Sequence, residues 1–240
     1  MTKLSEKNDS TDEVDAIAND AEAVKEEDPV DELTDDSRFI VIAPPPMGGG
    51  SDDPKVRVVG CVGDIDEDKA SEIIYGLLLM HKTSLREVPI DPFQPSLGSK
   101  KECKPFEILI STYGGSALEM FSIYDTIRRV KEDCEVGTTA TGKVMSAGVL
   151  LLACGTKGKR RIGENCRVMI HDVRGGHVGH IADLENEFQE IKWIQERYIK
   201  LLARETDMTE NYIKKLFKKK VNVYISAEEA VELGIADEVF

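Results

Sequence analysis

The feature that most constrains this chain is an alternation of strand-length apolar segments with longer, helix-patterned ones from about residue 57 onward. "VRVVGCVGDIDEDKASEIIYGLLLMHK" reads as a strand, a turn and a helix, with Asp64 or Asp66 placed to cap the helix. "FEILIST" is a short buried strand, and "YGG" turns the chain into a helix around "SALEMFSIYDTIRRVK". There Leu118, Phe121, Tyr124 and Ile127, with Ala117 and Met120, recur at helical spacing. "CEVGTTATG" alternates weakly as a strand, an apolar helix follows Ser146, and a further strand ends at "RVMIHD". Two amphipathic helices follow, "IADLENEFQEIKWIQERYIKLLARET" and "TENYIKKLFKKK". "VYI" is a short strand, and "SAEEAVELG" opens with a capping box, Ser226 and Glu229. Strands separated by helices predict an α/β domain with a largely parallel sheet, because a parallel neighbour needs a long crossover, usually helical.

Composition sets the boundaries. Residues 1–36 hold fourteen acids and three lysines, leaving only −3 of the chain's net −14 for the other 204 residues. This stretch has no aromatic residue and few large apolar ones, so it cannot offset its ordering entropy and is expected to be disordered. The division predicted is an acidic tail over 1–37 and one domain over 38–240. "APPPMGGGSDDPK" is a breaker-rich loop, and "HKTSLREVPIDPFQPSLGSKKECKP" a long irregular connection with four prolines. No apolar run approaches the roughly 20 residues that span a bilayer, so no membrane segment is expected. Without a dense basic face, nucleic acid is not an expected partner. Five scattered cysteines with no metal-ligand spacing suggest reduced thiols, a cytoplasmic setting, no metal and no cofactor.

The chemistry-bearing residues are few. Ser146 lies in "GKVMSAG", flanked by small residues and opening an apolar helix whose unpaired N–H groups could serve an oxyanion. It could equally be an N-cap. His171 closes a buried strand beside a glycine turn, placed to reach a neighbouring helix start, though a histidine there alone is more often structural. "YGGS" joins a strand to a helix, so its N–H groups could line a site, or it could equally be an ordinary tight turn. "GTTATGKV" nearly matches a phosphate-binding loop, but Val144 lacks the hydroxyl that binds magnesium. "KGKRR" reads as a solvated turn.

In this order the segments "GGS", "IYDT", GxxxSxG, "KGKR", "CRVMIH", "GG", a long helix and "SAEEAVELGIAD" resemble the Clp protease proteolytic subunit family, from about Arg57 to Phe240. The resemblance implies a Clp- and crotonase-like spiral of ββα units with a long handle helix over about 181–204. It implies a serine endopeptidase with Ser146 as nucleophile and His171 as general base. Backbone N–H groups of Gly115 and Ala147 would be the oxyanion donors. Gly114 and the segment Gly175, Gly176 and His177 would hold extended substrate. The partners implied are polypeptide substrates, further copies of the chain in two stacked seven-membered rings, and an ATP-driven unfoldase of the AAA+ class. The sequence departs from the family at Asn222, which stands where the family carries the triad aspartate, and at Tyr113, where proline is usual. An asparagine carbonyl can accept from the imidazole but supplies no charge. Two other readings are a weakly active or non-catalytic structural subunit of a mixed ring, and an acyl-CoA hydratase relative of the same spiral class.

Overall fold

The computed structural model describes residues 56–240 apart from 177 and 220; the acidic segment 1–37, the loop at 43–55 and His177 lie outside the described residues. β1 (Val58–Val62) leads into α1 (Glu67–Ser84), then β2 (Leu85–Pro89), β3 (Ser99–Cys103) and β4 (Phe106–Thr112). α2 (Ala117–Val130), β5 (Val136–Met145), α3 (Ala147–Ala153), β6 (Arg160–Ile162) and β7 (Arg167–Ile170) follow. The chain closes with α4 (Ile181–Glu205), α5 (Glu210–Lys218), β8 (Val223–Ile225), α6 (Ala227–Glu232) and β9 (Glu238–Val239). β1, β4, β5, β6 and β9 lie side by side and run parallel, as the alternation predicts. β7 adds parallel to β5, and β8 adds antiparallel to β7.

Local chemistry explains most boundaries. Asp66 caps α1 by accepting the Lys69 N–H at 2.8 Å, and the predicted capping box of α6 is present in both directions. α2 turns Met120, Ile123, Tyr124, Ile127 and Val130 to the core. This face is rotated from the one predicted, and Leu118 is exposed. Every residue of α3 is buried, which explains its unbroken apolar run. Burying one such leucine contributes roughly 1.5–3 kcal/mol. Gly148 allows that helix to sit on β4, because a Cβ there would lie 2.5 Å from Thr112 Cγ2.

Three expectations need correction. The connection after α1 is not irregular: β2 and β3 form an antiparallel hairpin, with a 3₁₀ turn at Pro95–Leu97 between them. The cysteines are not all reduced, since Cys103 and Cys134 form a disulfide that ties this hairpin to the turn before β5. The "KGKRR" segment is not wholly solvated. Arg160 is buried in β6 and paired with Asp237, and its Nη1 donates to the carbonyls of Ala153, Glu205 and Gly234. A charge in the core must be satisfied in this way, or the burial would be too costly.

One register decides where the chemistry sits. β5 pairs β6 through Thr138–Ala140, bends at Gly142 (φ +65°), and pairs β7 through Lys143–Met145. Met145 lies opposite Met169, so Ser146 and the end of β7 emerge together at the carboxyl edge of the sheet. β4 ends there too, with Thr112 opposite Val144. The antiparallel β8 starts at this edge, with Val223 opposite Ile170, which brings Asn222 level with His171.

Candidate active site

Ser146 is the only non-glycine residue with positive φ among the described residues, at φ 53° and ψ −119°. Such a conformation costs a side-chain-bearing residue on the order of 1–3 kcal/mol, and it persists only where the surroundings enforce it. Here they do so from both sides. The Ser146 N–H donates to the Met169 carbonyl at 2.8 Å, and the Ser146 carbonyl accepts from the Tyr198 hydroxyl at 2.8 Å and the Val149 N–H at 3.1 Å. The side chain makes no capping bond to α3, so the serine is not spent as an N-cap. A strained serine on a sharp strand-to-helix turn is the geometry that exposes a nucleophilic hydroxyl.

The double-glycine turn packs against this serine. A Cβ on Gly114 (φ +102°) would lie 2.7 Å from Ser146 Cβ, 2.9 Å from the Met145 carbonyl oxygen and 3.1 Å from the Ala147 nitrogen. A Cβ on Gly115 (φ +152°) would lie 2.1 Å from the Ile65 carbonyl oxygen. Both positions therefore require glycine. The Gly114 N–H is taken by Thr112 Oγ1 at 2.9 Å, and its carbonyl accepts from the Ile65 N–H. The N–H groups of Gly115 and Ala147 have no hydrogen-bond acceptor among the described residues, and both residues line one cavity.

That cavity holds about 350 Å³ and is also bordered by Ser146, His171, Asp172, Arg174 and Tyr198. His171 Nδ1 lies 2.5 Å from the backbone carbonyl oxygen of Asp172, which accepts from the ring when Nδ1 carries the proton. This contact leaves Nε2 as the basic nitrogen. Ser146 and His171 share the cavity without a direct hydrogen bond among the described residues, which is common before substrate binds. The expected bond from His171 to Asn222 is not made. Asn222 Oδ1 instead accepts from Arg174 Nη2 at 2.7 Å, and Asn222 does not border the cavity.

Of the other predicted site residues, Gly114 is buried beneath Ser146, while Gly175 and Gly176 are exposed and lie outside the cavity wall. A Cβ on Gly175 would meet Ile191 Cδ1 of α4 at 2.7 Å, so this glycine lets the segment after β7 press onto the long helix. Residues 171–176 and 178–180 pair with no strand among the described residues. Sequence reasoning missed Tyr198 and Arg174. Tyr198 sits on the apolar face of α4, where nothing local marks its hydroxyl as a support for Ser146. Burial pushes its ionisation above the usual phenol range, so it stays a donor.

Competing nucleophiles are poor. Burial pushes the thiols of Cys61 and Cys154 up to about 12 and that of Cys166 up to about 11, so all three are protonated near neutrality. Among the described residues no cluster of metal-ligating side chains occurs, and no helix is long and apolar enough to cross a membrane. A serine on a strained turn, a histidine at the adjacent strand end and two free amides form one constellation. The family described as Clp protease matches residues 95–240, which contain all of these groups, and the chain therefore belongs to the Clp protease family, a family of peptidases.

Proposed function

We propose that the chain is a serine-type endopeptidase, the proteolytic subunit of an ATP-dependent Clp protease. The observation that carries this reading is the strained Ser146, facing one cavity with His171 and two unpaired amides. Ser146 Oγ attacks the scissile carbonyl while His171 Nε2 takes its proton. The Asp172 carbonyl holds Nδ1–H and so fixes the tautomer. The oxyanion that forms is met by the Gly115 and Ala147 N–H groups. As the intermediate collapses, His171 returns the proton to the leaving amine, and the resulting acyl-serine is hydrolysed by water activated in the same way.

The assembly proposed is two stacked seven-membered rings fed by an AAA+ unfoldase. The outer half of α4 supports self-association, since Ile181, Leu184 and Phe188 stand exposed on it, with Ile181 76% accessible. Gly175 and Gly176, in the segment after β7, would then receive extended substrate.

A second reading is a non-catalytic subunit of a mixed ring. It is favoured by the Asn222 carbonyl being held by Arg174 rather than by His171. A fluorophosphonate probe on the purified, assembled chain separates the two. Labelling that disappears in Ser146→Ala supports the peptidase, and a wild-type chain that never labels supports the structural subunit.

A further inference from the structure

The pairing of Arg174 with Asn222 has chemical consequences at the rim of the cavity. Arg174 borders the same space as Ser146 and His171, and the residue is exposed. Its hydrogen-bond partner, Asn222 Oδ1, is a neutral amide oxygen. Among the described residues no carboxylate forms an ion pair with Arg174, so its charge is not neutralised. An aspartate at 222 would neutralise it; asparagine orients it and leaves the charge available. The guanidinium is a planar fork with five N–H donors, and one contact to Asn222 leaves most of them open to a carboxylate. A second cation stands nearby, since Lys143 Nζ lies 4.6 Å from the ring centroid of Tyr113, which also lines the cavity. The one acid on the wall, Asp172, also borders the adjoining cavity lined by Lys214, Lys215 and Lys218.

We propose that Arg174 is a specificity-determining residue that receives an acidic side chain of the substrate beside the scissile bond, and that Asn222 is the positioning residue that holds it there. The substrate class is a polypeptide carrying Asp or Glu next to the cleaved bond. This rests on the peptidase reading above, and it separates the role of Asn222 from the orientation of His171, which the Asp172 carbonyl provides.

The test uses the full-length assembled protein and pairs of fluorogenic peptides that differ only in Glu against Gln beside the scissile bond. A charge-assisted hydrogen bond at an exposed rim predicts kcat/KM about tenfold higher for the Glu peptide, mostly through KM. The ratio falls toward one in Arg174→Gln, is partly restored in Arg174→Lys, and falls in Asn222→Asp even if that change raises kcat on both peptides. Binding of the same peptides to Ser146→Ala, followed by fluorescence anisotropy, shows the same preference without turnover. An equal Glu-to-Gln ratio in wild type and Arg174→Gln, with probe labelling intact, overturns the specificity role and leaves the peptidase standing. A wild-type chain that neither labels nor cleaves removes the peptidase reading, and the specificity role with it.

Discussion

Replacing Gly114 by alanine isolates what the glycine turn does for the serine. The new Cβ would lie 2.7 Å from Ser146 Cβ, where carbon atoms ordinarily rest about 3.5–4.0 Å apart. Relief therefore requires a displacement of about 1 Å between the two turns. The Met145 carbonyl at 2.9 Å and the Ala147 nitrogen at 3.1 Å block retreat along the backbone, and φ +102° is itself unfavourable for alanine. The conformational strain alone is on the order of 1–3 kcal/mol. A nucleophile misplaced by about 1 Å can lose about a hundredfold in rate. The expected outcome is a folded protein, lower in thermal midpoint by a few degrees, with fluorophosphonate labelling and peptidase kcat/KM reduced about a hundredfold. Gly60→Ala is the matched control. That position lies in β1 with no atom within 4 Å of the place a new methyl would take, so neither quantity should fall. Wild-type labelling in Gly114→Ala would show that the close approach does not set the nucleophile, and the reasoning would fail.

Other expectations follow from the same geometry. Tyr198→Phe removes the hydroxyl bond to the Ser146 carbonyl, costing about 1 kcal/mol of stability and slowing labelling; an unchanged labelling rate would mean that the bond does not hold the turn. Reducing the Cys103–Cys134 disulfide, which spans 31 residues, should cost about 3–4 kcal/mol by loop entropy, read as a lower urea midpoint with thiol reductant. A Cys103→Ser variant should match the reduced protein and ignore reductant. Burial alone would raise the Asp237 carboxyl, but hydrogen bonds from the side chain and backbone of Arg160, its charge and the Gly158 N–H outweigh this and hold it below the usual range. A lowered folded value means stability present above the unfolded pKa of about 3.9 and lost as pH falls through the folded one. The stability gap between wild type and Asp237→Asn should therefore narrow below about pH 4; a gap unchanged on acidification through that range contradicts the coupling.

Local chemistry made much of the fold legible. Apolar period and length separate strands from helices, so the parallel α/β plan, the long helix α4 and the capping box at Ser226 can be read without coordinates. Ser146 and His171 are legible as residue types at element ends. What depends on distant partners is not. The strands β6 and β9 are three and two residues long, too short for any period to show, and Arg160 looks solvated until Asp237 arrives from the end of the chain. The Cys103–Cys134 bond depends on a hairpin whose prolines suggest a loop.

The sequence by itself determined the longer strands and helices and which side chains had chemistry to offer. Those properties follow from steric and solvation preferences over a few neighbouring residues. The tertiary structure alone decided that Met145 pairs with Met169, which places Ser146 beside the end of β7, and that Asn222 gives its oxygen to Arg174 rather than to His171. A ladder register and a contest between two donors for one acceptor are settled only when segments far apart in the chain are packed side by side, because each depends on distances that no local sequence contains.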